Sequence, residues 1–369
     1  MHPAKTRSGR LAGHLLPCLV VAAVLAAGAW ACESTEDYYP IYDVLPDPAP
    51  DAAPDTALPD PQPDPDAPPP DLPYDAPPDP VADLPPDLAP DVPTDPGMDD
   101  AAGGTCYSEP LAVDASLADL ESAYSGYNYV ETMFETLNRR WPAGHDLFVA
   151  IQDDPYLGAF TDTSSFSTVM ESLMTEVHEG THGWDYGNAS WGTTFAYFLR
   201  GDLAFYVTWI DGFPRSEIRG MLADDSTSLY ADTYLSGEQG TYGFVELLDE
   251  LNCYINGMAG IAVVGEYISG YGISGIDGAV AFLYYLELYL KRARTSYPEL
   301  YARIQGDPQI VELVKTQWLR THFFLAVADR FPSLGIYDDA IRANLYSPDN
   351  MSEISLFIGR DVSASPCLP

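Results

Sequence analysis

Two histidines and a glutamate stand close together in the segment HEGTH, at His178, Glu179 and His182. The two histidines are four residues apart, so on a helix their imidazoles project from one face, one turn apart. Two imidazoles at that spacing can both reach a zinc ion at about 2.0–2.1 Å. Glu179 could face a water at such a metal and take its proton without binding the metal itself. The segment therefore predicts a metal site with an adjacent general base.

The segment lies near the C-terminal end of a predicted helix. Apolar residues preceding it have the spacing of an amphipathic helix, at positions 169, 170, 173, 174 and 177. Thr168 and Glu171 fit a capping box at the start of this helix, and Gly183 fits its end. We therefore expect both histidines on a regular helix and not in a loop.

The HExxH arrangement of this segment resembles that of the zincin metallopeptidases. In the metzincin branch the motif continues as HExxHxxGxxH, but Asp185 and Asn188 stand at the glycine and final histidine positions here. The gluzincin branch instead takes a glutamate from a later helix as the third ligand. The resemblance therefore implies a Zn²⁺ ion, Glu179 as the catalytic base, and a third ligand further along the chain.

Two glutamates in the run YGFVELLDELNCYINGMAGIA are candidates for that third ligand, Glu246 and Glu250. They share one helical face, and small residues follow that would let this helix approach the HEGTH helix closely: Gly257, Ala259 and Gly260. We favour Glu250, because its surroundings become apolar immediately afterwards. Glu246 remains the alternative, and both acids could equally belong to a solvated stripe.

Other polar residues could assist this chemistry. Three residues beside the motif could orient the imidazoles, as carboxylates commonly do: Trp184, Asp185 and Asn188. Three more could stabilise the oxyanion of a tetrahedral intermediate: Tyr186, Tyr254 and His322. A hydrogen-bonded core histidine is the alternative for His322, and a surface charge is the alternative for Asp185. His145 is expected on a surface loop.

The first third of the chain has two distinctive segments. Residues 1–31 have a basic start, an apolar stretch and small residues before Cys32, which is the layout of a secretory signal peptide. The sequence AWAC resembles the lipobox of bacterial lipoproteins and implies a lipid on Cys32; cleavage without lipidation is the alternative. Residues 32–104 combine this cysteine with a segment rich in aspartate and proline that lacks lysine and arginine. Such a segment predicts a disordered, extended tether.

Residues 105–369 are long enough for a single globular domain. Their pattern predicts an α+β fold that is predominantly helical, and the resemblance implies a zincin-like one. A β-hairpin is expected in the aromatic run TTFAYFLRGDLAFYVTWI, and a short strand in LFVAI at 147–151. Helical patterns occupy residues near 114–141, 241–268, 275–296 and 308–331, and IYDDAIRANLY adds one short helix.

The net charge of the chain and its cysteines limit the partners that it can bind and the cellular compartment in which it can function. The formal net charge of −38 excludes a nucleic-acid partner, because phosphate binding needs clustered cations. Cys106 and Cys367 stand at the two ends of the domain, so we prefer a disulfide between them, with Cys253 as a buried thiol. A Cys106–Cys253 pair is the alternative.

Together these features suggest a monomeric, extracytoplasmic zinc metallopeptidase that hydrolyses peptide bonds and contacts a bacterial membrane only through lipid on Cys32. The metal ligands would be His178, His182 and Glu250, and the substrate a protein or peptide. The alternative is a non-catalytic surface lipoprotein that binds a partner through its aromatic hairpin, with HEGTH structural or vestigial.

Overall fold

The computed structural model describes residues 106–269 and 274–369. The predicted signal peptide at 1–31 and the predicted lipidated cysteine and tether at 32–104 lie outside these residues. The described residues are mostly helical and contain one two-stranded antiparallel sheet, which confirms the predominantly helical α+β class. Among their helices none has both the length and the apolar character needed to cross a membrane.

Eleven α-helices and two strands follow one another in the described residues, with short 3₁₀ turns in several connections. In chain order they are α1 (Ala118–Ala123), α2 (Tyr129–Arg140), α3 (Pro142–Ala150), α4 (Phe166–Gly187), β1 (Thr194–Arg200), β2 (Leu203–Thr208), α5 (Ser228–Tyr234), α6 (Phe244–Ala262), α7 (Gly275–Ser296), α8 (Pro298–Gly306), α9 (Pro308–Ala328), α10 (Asp338–Leu345) and α11 (Pro348–Ile358). The predicted long helices and the short helix in IYDDAIRANLY are all present.

The strand predicted at 147–151 is wrong, because residues 147–150 continue α3 and Ile151 is its C-cap. Pro142 occupies the first turn of this helix, where its missing N–H would have no helical partner in any case. The buried positions of α3 are spaced for a helix: Ala143, Gly144, Leu147 and Phe148. A five-residue apolar run is compatible with either structure, and here the proline and its neighbours decide for the helix.

Helix α4 carries HEGTH and differs at both ends from the prediction. Its N-cap is Ser165, whose side chain accepts the N–H of Thr168, while the hydroxyl of Thr168 accepts the N–H of Ser165. Thr168 is therefore the third helical residue and not the cap. Gly183 lies inside the helix, which continues one further turn to Gly187.

Helix α6 is the centre of the domain: every one of its residues except Glu246 is buried. It packs against α4, α7 and α9. A Cβ placed on Gly257 would lie 2.9 Å from the carbonyl oxygen of Met174, and one on Gly260 would lie 3.0 Å from Cγ2 of Val177. The close approach predicted from these small residues is therefore confirmed.

The predicted aromatic hairpin is also confirmed. Strand β1 pairs with β2 from Thr194 opposite Thr208 to Arg200 opposite Leu203. β1 packs on α4 and α6, and its aromatic residues Phe195, Tyr197 and Phe198 are buried. The hairpin thus belongs to the core that holds the two central helices.

The two ends of the domain are joined covalently, as predicted, by the disulfide Cys106–Cys367, and Cys253 is a buried free thiol. Next to this bridge, Glu109 accepts the indole N–H of Trp141 at 2.6 Å and lies 3.3 Å from Nε of the fully buried Arg320. The first residues of the domain are therefore bonded to α9 and to the start of α3.

Glu287 on α7 is a buried acid with no hydrogen-bond partner for either carboxyl oxygen among the described residues. Burial raises the pKa of Glu287 well above its usual value; the charge of Glu353, itself paired with Arg294, raises it further, and Lys291 opposes the shift. A carboxyl whose pKa is higher in the folded state binds its proton more tightly there. This group therefore removes stability as pH rises from the unfolded pKa of about 4.3 towards the folded pKa.

We expect Glu287→Gln to remove this pH-dependent loss. The free energy of unfolding of the variant, minus that of the wild type, should increase by about 1–3 kcal/mol between pH 4 and pH 8. Urea unfolding at several pH values measures this difference. Glu299→Gln on α8, where the side chain is exposed, is the matched control; a change for Glu287→Gln no larger than that of the control would contradict the prediction.

Candidate metal centre

Helix α4 places His178 and His182 on one face, with their ring centroids 4.9 Å apart. Helix α6 crosses this face and presents Glu250 between them. Oε2 of Glu250 lies 3.8 Å from Nε2 of His178 and 3.6 Å from Nε2 of His182. All three residues are buried, with exposed fractions of 6%, 4% and 2% in the order His178, His182, Glu250. The three donors could hold one metal ion.

The donor geometry and chemistry fit a zinc ion. Two tetrahedral ligands at 2.0–2.1 Å from zinc lie about 3.3 Å from each other, close to the observed separations. Nε2 of His182 and Oε2 of Glu250 are buried, and within the described ranges neither has a hydrogen-bond partner. A buried polar atom left unpartnered destabilises a protein by about 1–3 kcal/mol, and a shared cation would satisfy both atoms. Two imidazole nitrogens with one carboxylate oxygen are a usual donor set for zinc.

Of the two candidate acids, Glu250 is the one that meets the histidines. Glu246 lies one turn earlier, where its Oε2 accepts the backbone N–H of Gly243 at 3.0 Å. It therefore caps the N-terminus of α6, which explains why this acid sits in an otherwise buried helix.

Glu179 is half-buried, and its Oε2 is a further buried oxygen for which the described residues offer no hydrogen-bond partner. Burial raises the pKa of Glu179 to about 7, with the charge of His182 opposing and that of Glu250 supporting the shift. A carboxyl with a pKa near neutrality is well matched to accepting and returning a proton. For His178, burial lowers the pKa to about 3, so its imidazole is neutral, the form that binds metals.

Asp249 is a site residue that the sequence argument missed. Its Oδ2 lies 2.8 Å from Nδ1 of His182, so the ring donates to the carboxylate and directs its other nitrogen, Nε2, towards Glu250. Carboxylates commonly hold metal-binding histidines in this way. His182, Asp249 and Cys253 also lie close enough to form a second ligand set, but this set would use the nitrogen that the hydrogen bond already occupies. The signal available in the sequence was an aspartate directly before Glu250 in an apolar run.

We expect Asp249→Asn to weaken zinc binding by about 10–100-fold, because the asparagine no longer holds the His182 ring as a carboxylate does. Competition with a chromophoric chelator measures the change in Kd. Asp277→Asn is a matched control: this carboxylate is also buried, but it accepts the backbone N–H groups of Ile336 and Tyr337. Equal zinc affinities for wild type and Asp249→Asn would show that the hydrogen bond does not support the site.

Asp185 was predicted to orient the imidazoles, but its hydrogen bonds are to other residues. Its Oδ1 accepts the N–H of Phe198 in β1 at 2.6 Å, and its Oδ2 accepts the amide of Asn252 at 3.0 Å. Burial, followed by the neighbouring charge of Asp249, raises the pKa of Asp185 well above its usual value. Asp185 therefore joins α4, the hairpin and α6 behind Asp249.

The other two residues that were predicted to orient the imidazoles make different contacts. The side-chain amide of Asn188 donates to the carbonyl of Trp184 at the helix end, and Trp184 packs on Phe198.

The candidate oxyanion donors fall in different places. The Tyr254 ring lies 4.5 Å from that of His178, and its hydroxyl meets the hydroxyl of Tyr234 at 2.9 Å. The ring of Tyr186 lies 6.1 Å from that of His182.

Two other histidines lie outside the candidate site. His322 on α9 is a core histidine: Nδ1 bonds the carbonyl of Trp318, and Nε2 bonds the hydroxyl of Tyr346. His145 lies on α3 and not on the predicted loop.

A second residue that the sequence argument missed is Arg215, which is fully buried. Its Nη2 lies 3.8 Å from Oε1 of Glu250, and its Nε donates to the carbonyls of Tyr234 and Gln239. Burial alone would raise the pKa of Glu250, but the neighbouring His182, Arg215 and His178 outweigh it, so that the pKa is lowered. Arg215 is thus held by the segment around α5 and places a positive charge near Glu250. Nothing in the surrounding sequence FPRSEIRG distinguishes this arginine from a surface residue.

Comparisons of the chain with protein-family models, with curated proteins and with solved structures found no match. Buried His178, His182 and Glu250 nevertheless lie close enough to hold a metal ion, with Asp249 beside them.

Proposed function

We propose that the protein is a zinc metallopeptidase of the zincin type, in which His178, His182 and Glu250 bind the metal. The observation that carries this proposal is the convergence of three buried donor atoms from α4 and α6, two of them without other partners among the described residues. Three protein ligands leave a fourth position for water or substrate, as a catalytic zinc site requires.

The roles of the protein groups follow from their places. Zinc, when bound, supplies Lewis acidity and lowers the pKa of a coordinated water to about 7. Glu179 takes the proton of the attacking water and returns it to the leaving amine. Tyr254, whose ring lies beside that of His178, is the candidate donor to the developing oxyanion. Asp249 holds the ring of His182 by a hydrogen bond, and the charge of Arg215, 3.8 Å away, stabilises the carboxylate of Glu250.

The proposed enzyme acts outside the cytoplasm on protein or peptide substrates, as a monomer anchored by lipid on Cys32. The signal-peptide pattern and the AWAC sequence support the export and the anchor. The Cys106–Cys367 disulfide supports export independently, because such bonds persist in oxidising compartments.

The fold differs from the zincin pattern in one respect that concerns substrate binding. Zincins place substrate along an edge strand that precedes the HExxH helix. In the described part of this chain the only strands, β1 and β2, follow that helix. The proposal therefore rests on the chemistry of the site and not on a shared architecture.

One observation favours the alternative, a binding module with a structural metal. All three ligands are almost fully buried, as in structural zinc sites. The two functions differ in whether a metal-loaded protein cleaves peptides.

The test measures zinc content and the cleavage of a broad peptide library by the full mature chain. We expect about one zinc per chain, activity that chelation removes and zinc restores, and loss of both in His178→Ala. His145→Ala, which changes a histidine outside the site, should keep both. If the protein bound no zinc at micromolar concentrations of free zinc, the proposal would be overturned. Stoichiometric zinc without any cleavage would favour the binding module.

A further inference from the structure

Three aromatic residues extend from the metal centre to the protein surface. We call Tyr186, Trp191 and Trp209 the aromatic row. The Tyr186 ring lies 6.1 Å from that of His182; Trp191 stacks on Tyr186 with centroids 5.6 Å apart and planes 19° apart. Trp209 then lies 5.2 Å from Trp191. The row joins the end of α4, the loop before β1 and the residue after β2, so it is held by three parts of the chain.

Trp191 remains 56% exposed although it touches two other rings. The core does not require this side chain, since most of its surface lies in water. Exposed large aromatic residues next to a functional site commonly mark binding surfaces, because their burial by a partner is strongly favourable. Trp191 is an exposed tryptophan two ring contacts from a candidate metal ligand.

The charges around the row favour a cationic ligand. The exposed Asp211 accepts the indole N–H of Trp209 at 3.2 Å, which places a carboxylate beside the row. In the described ranges no arginine or lysine lies over the ring of Trp191 or Trp209. Tryptophan is the aromatic residue that attracts cations most strongly. The net charge of −38 adds a long-range attraction for positively charged peptides.

We propose that the aromatic row is a substrate subsite that binds a lysine or arginine side chain of the peptide. The cation lies over the indole of Trp191, and Asp211 supplies the opposite charge. This inference rests on the proposed peptidase function, since the ligand is the substrate.

The experiment uses the full chain with Glu179→Gln, loaded with zinc, so that peptides bind without being cleaved. Peptides that differ at one position are compared by calorimetry, with arginine, norleucine, phenylalanine or glutamate placed in turn at each position. We expect arginine to bind about 3–10-fold more tightly than norleucine at one position, and this preference to fall at high salt.

Variants in the same background test the residues. Trp191→Ala should abolish the preference for arginine, and Trp191→Phe should keep part of it. Asp211→Asn should reduce the preference and its salt dependence but leave the binding of the phenylalanine peptide unchanged. Tyr337→Ala removes an aromatic side chain of equal exposure ahead of α10 and is the control that should change nothing.

Different failures are distinguishable. Zinc-dependent cleavage by the wild type without any arginine preference would overturn the subsite and leave the peptidase intact. Tighter binding of phenylalanine or norleucine, lost in Trp191→Ala, would replace the cationic ligand by an apolar one. Arginine-selective binding through Trp191 by a chain that holds no zinc and cleaves nothing would refute the peptidase and leave a peptide-binding surface. No binding of any peptide would refute the subsite.

Discussion

Replacement of Glu179 by glutamine is expected to lower kcat/KM for peptide cleavage by about 100- to 10,000-fold while zinc content stays unchanged. Glutamine keeps the shape of the side chain but cannot take a proton from water or deliver one to the leaving amine. Because Glu179 is not one of the three converging donors, the metal should remain bound. Cleavage of a fluorogenic peptide, with zinc determined on the same sample, measures both quantities.

Glu171→Gln is the matched control for this substitution. Glu171 lies on α4 two turns before Glu179 and outside the metal centre, so its variant should keep full activity. If Glu179→Gln retained activity within a few-fold of the wild type, another group would be the base. If it lost zinc as well as activity, the substitution would have disturbed the site and not the proton transfer alone.

The second large effect is expected on zinc affinity, from substitution of one of the two glutamates on α6. Glu250→Gln should weaken zinc binding by more than 100-fold, since even the loss of a residue that only supports a ligand weakens binding by about 10–100-fold. Glu246→Gln, one turn earlier, should leave the zinc affinity unchanged. Glu246→Ala should lower the free energy of unfolding by about 0.5–2 kcal/mol, because alanine removes the side-chain oxygen that caps the helix and that glutamine retains.

Chelator competition and thermal unfolding of these variants separate the two effects. The prediction requires zinc affinity to be lost in Glu250→Gln and kept in Glu246→Gln, and stability to be lost in Glu246→Ala. Equal zinc affinities for both glutamine variants would exclude Glu250 as a ligand. A loss of affinity in Glu246→Gln alone would exchange the roles of the two acids.

The parts of the site that depend on local spacing could be predicted from the sequence. His178 and His182 share a face because a helix repeats every 3.6 residues, and apolar residues before them identify that helix. Glu250 required one further step, because a helix with small residues such as Gly257 can approach a neighbour closely. These inferences use rules that act within a few residues of the chain.

Asp249 and Arg215 could not be predicted in the same way. Their roles depend on where α6 and the segment around α5 cross α4, and that crossing is decided by packing across the whole core. His322 had two interpretations, an oxyanion donor and a core histidine, and the structure agrees with the second, because Trp318 and Tyr346 occupy both of its ring nitrogens. Charged and polar residues in long helices thus receive their roles from tertiary contacts.

The elements of the fold likewise divide into those that could be predicted from the sequence and those that could not. The hairpin was predictable because alternating aromatic and β-branched residues flank a turn at Gly201, and the long helices because their apolar periodicity extends over many residues. The run at 147–151 was too short for periodicity to distinguish a strand from a helix. The ends of α4 were predicted imprecisely because several serine and threonine residues near Ser165 could each have capped it.

The disulfide between Cys106 and Cys367, which are 261 positions apart in the sequence, closes the chain between them into a covalent ring. A protease that cuts one exposed turn of this ring opens it but releases no fragment. The two halves of a nicked molecule, including the helices that carry the histidines and Glu250, stay linked to whatever precedes Cys106. A fragment of the domain would therefore be released only after a second cut within the ring or after reduction of the disulfide.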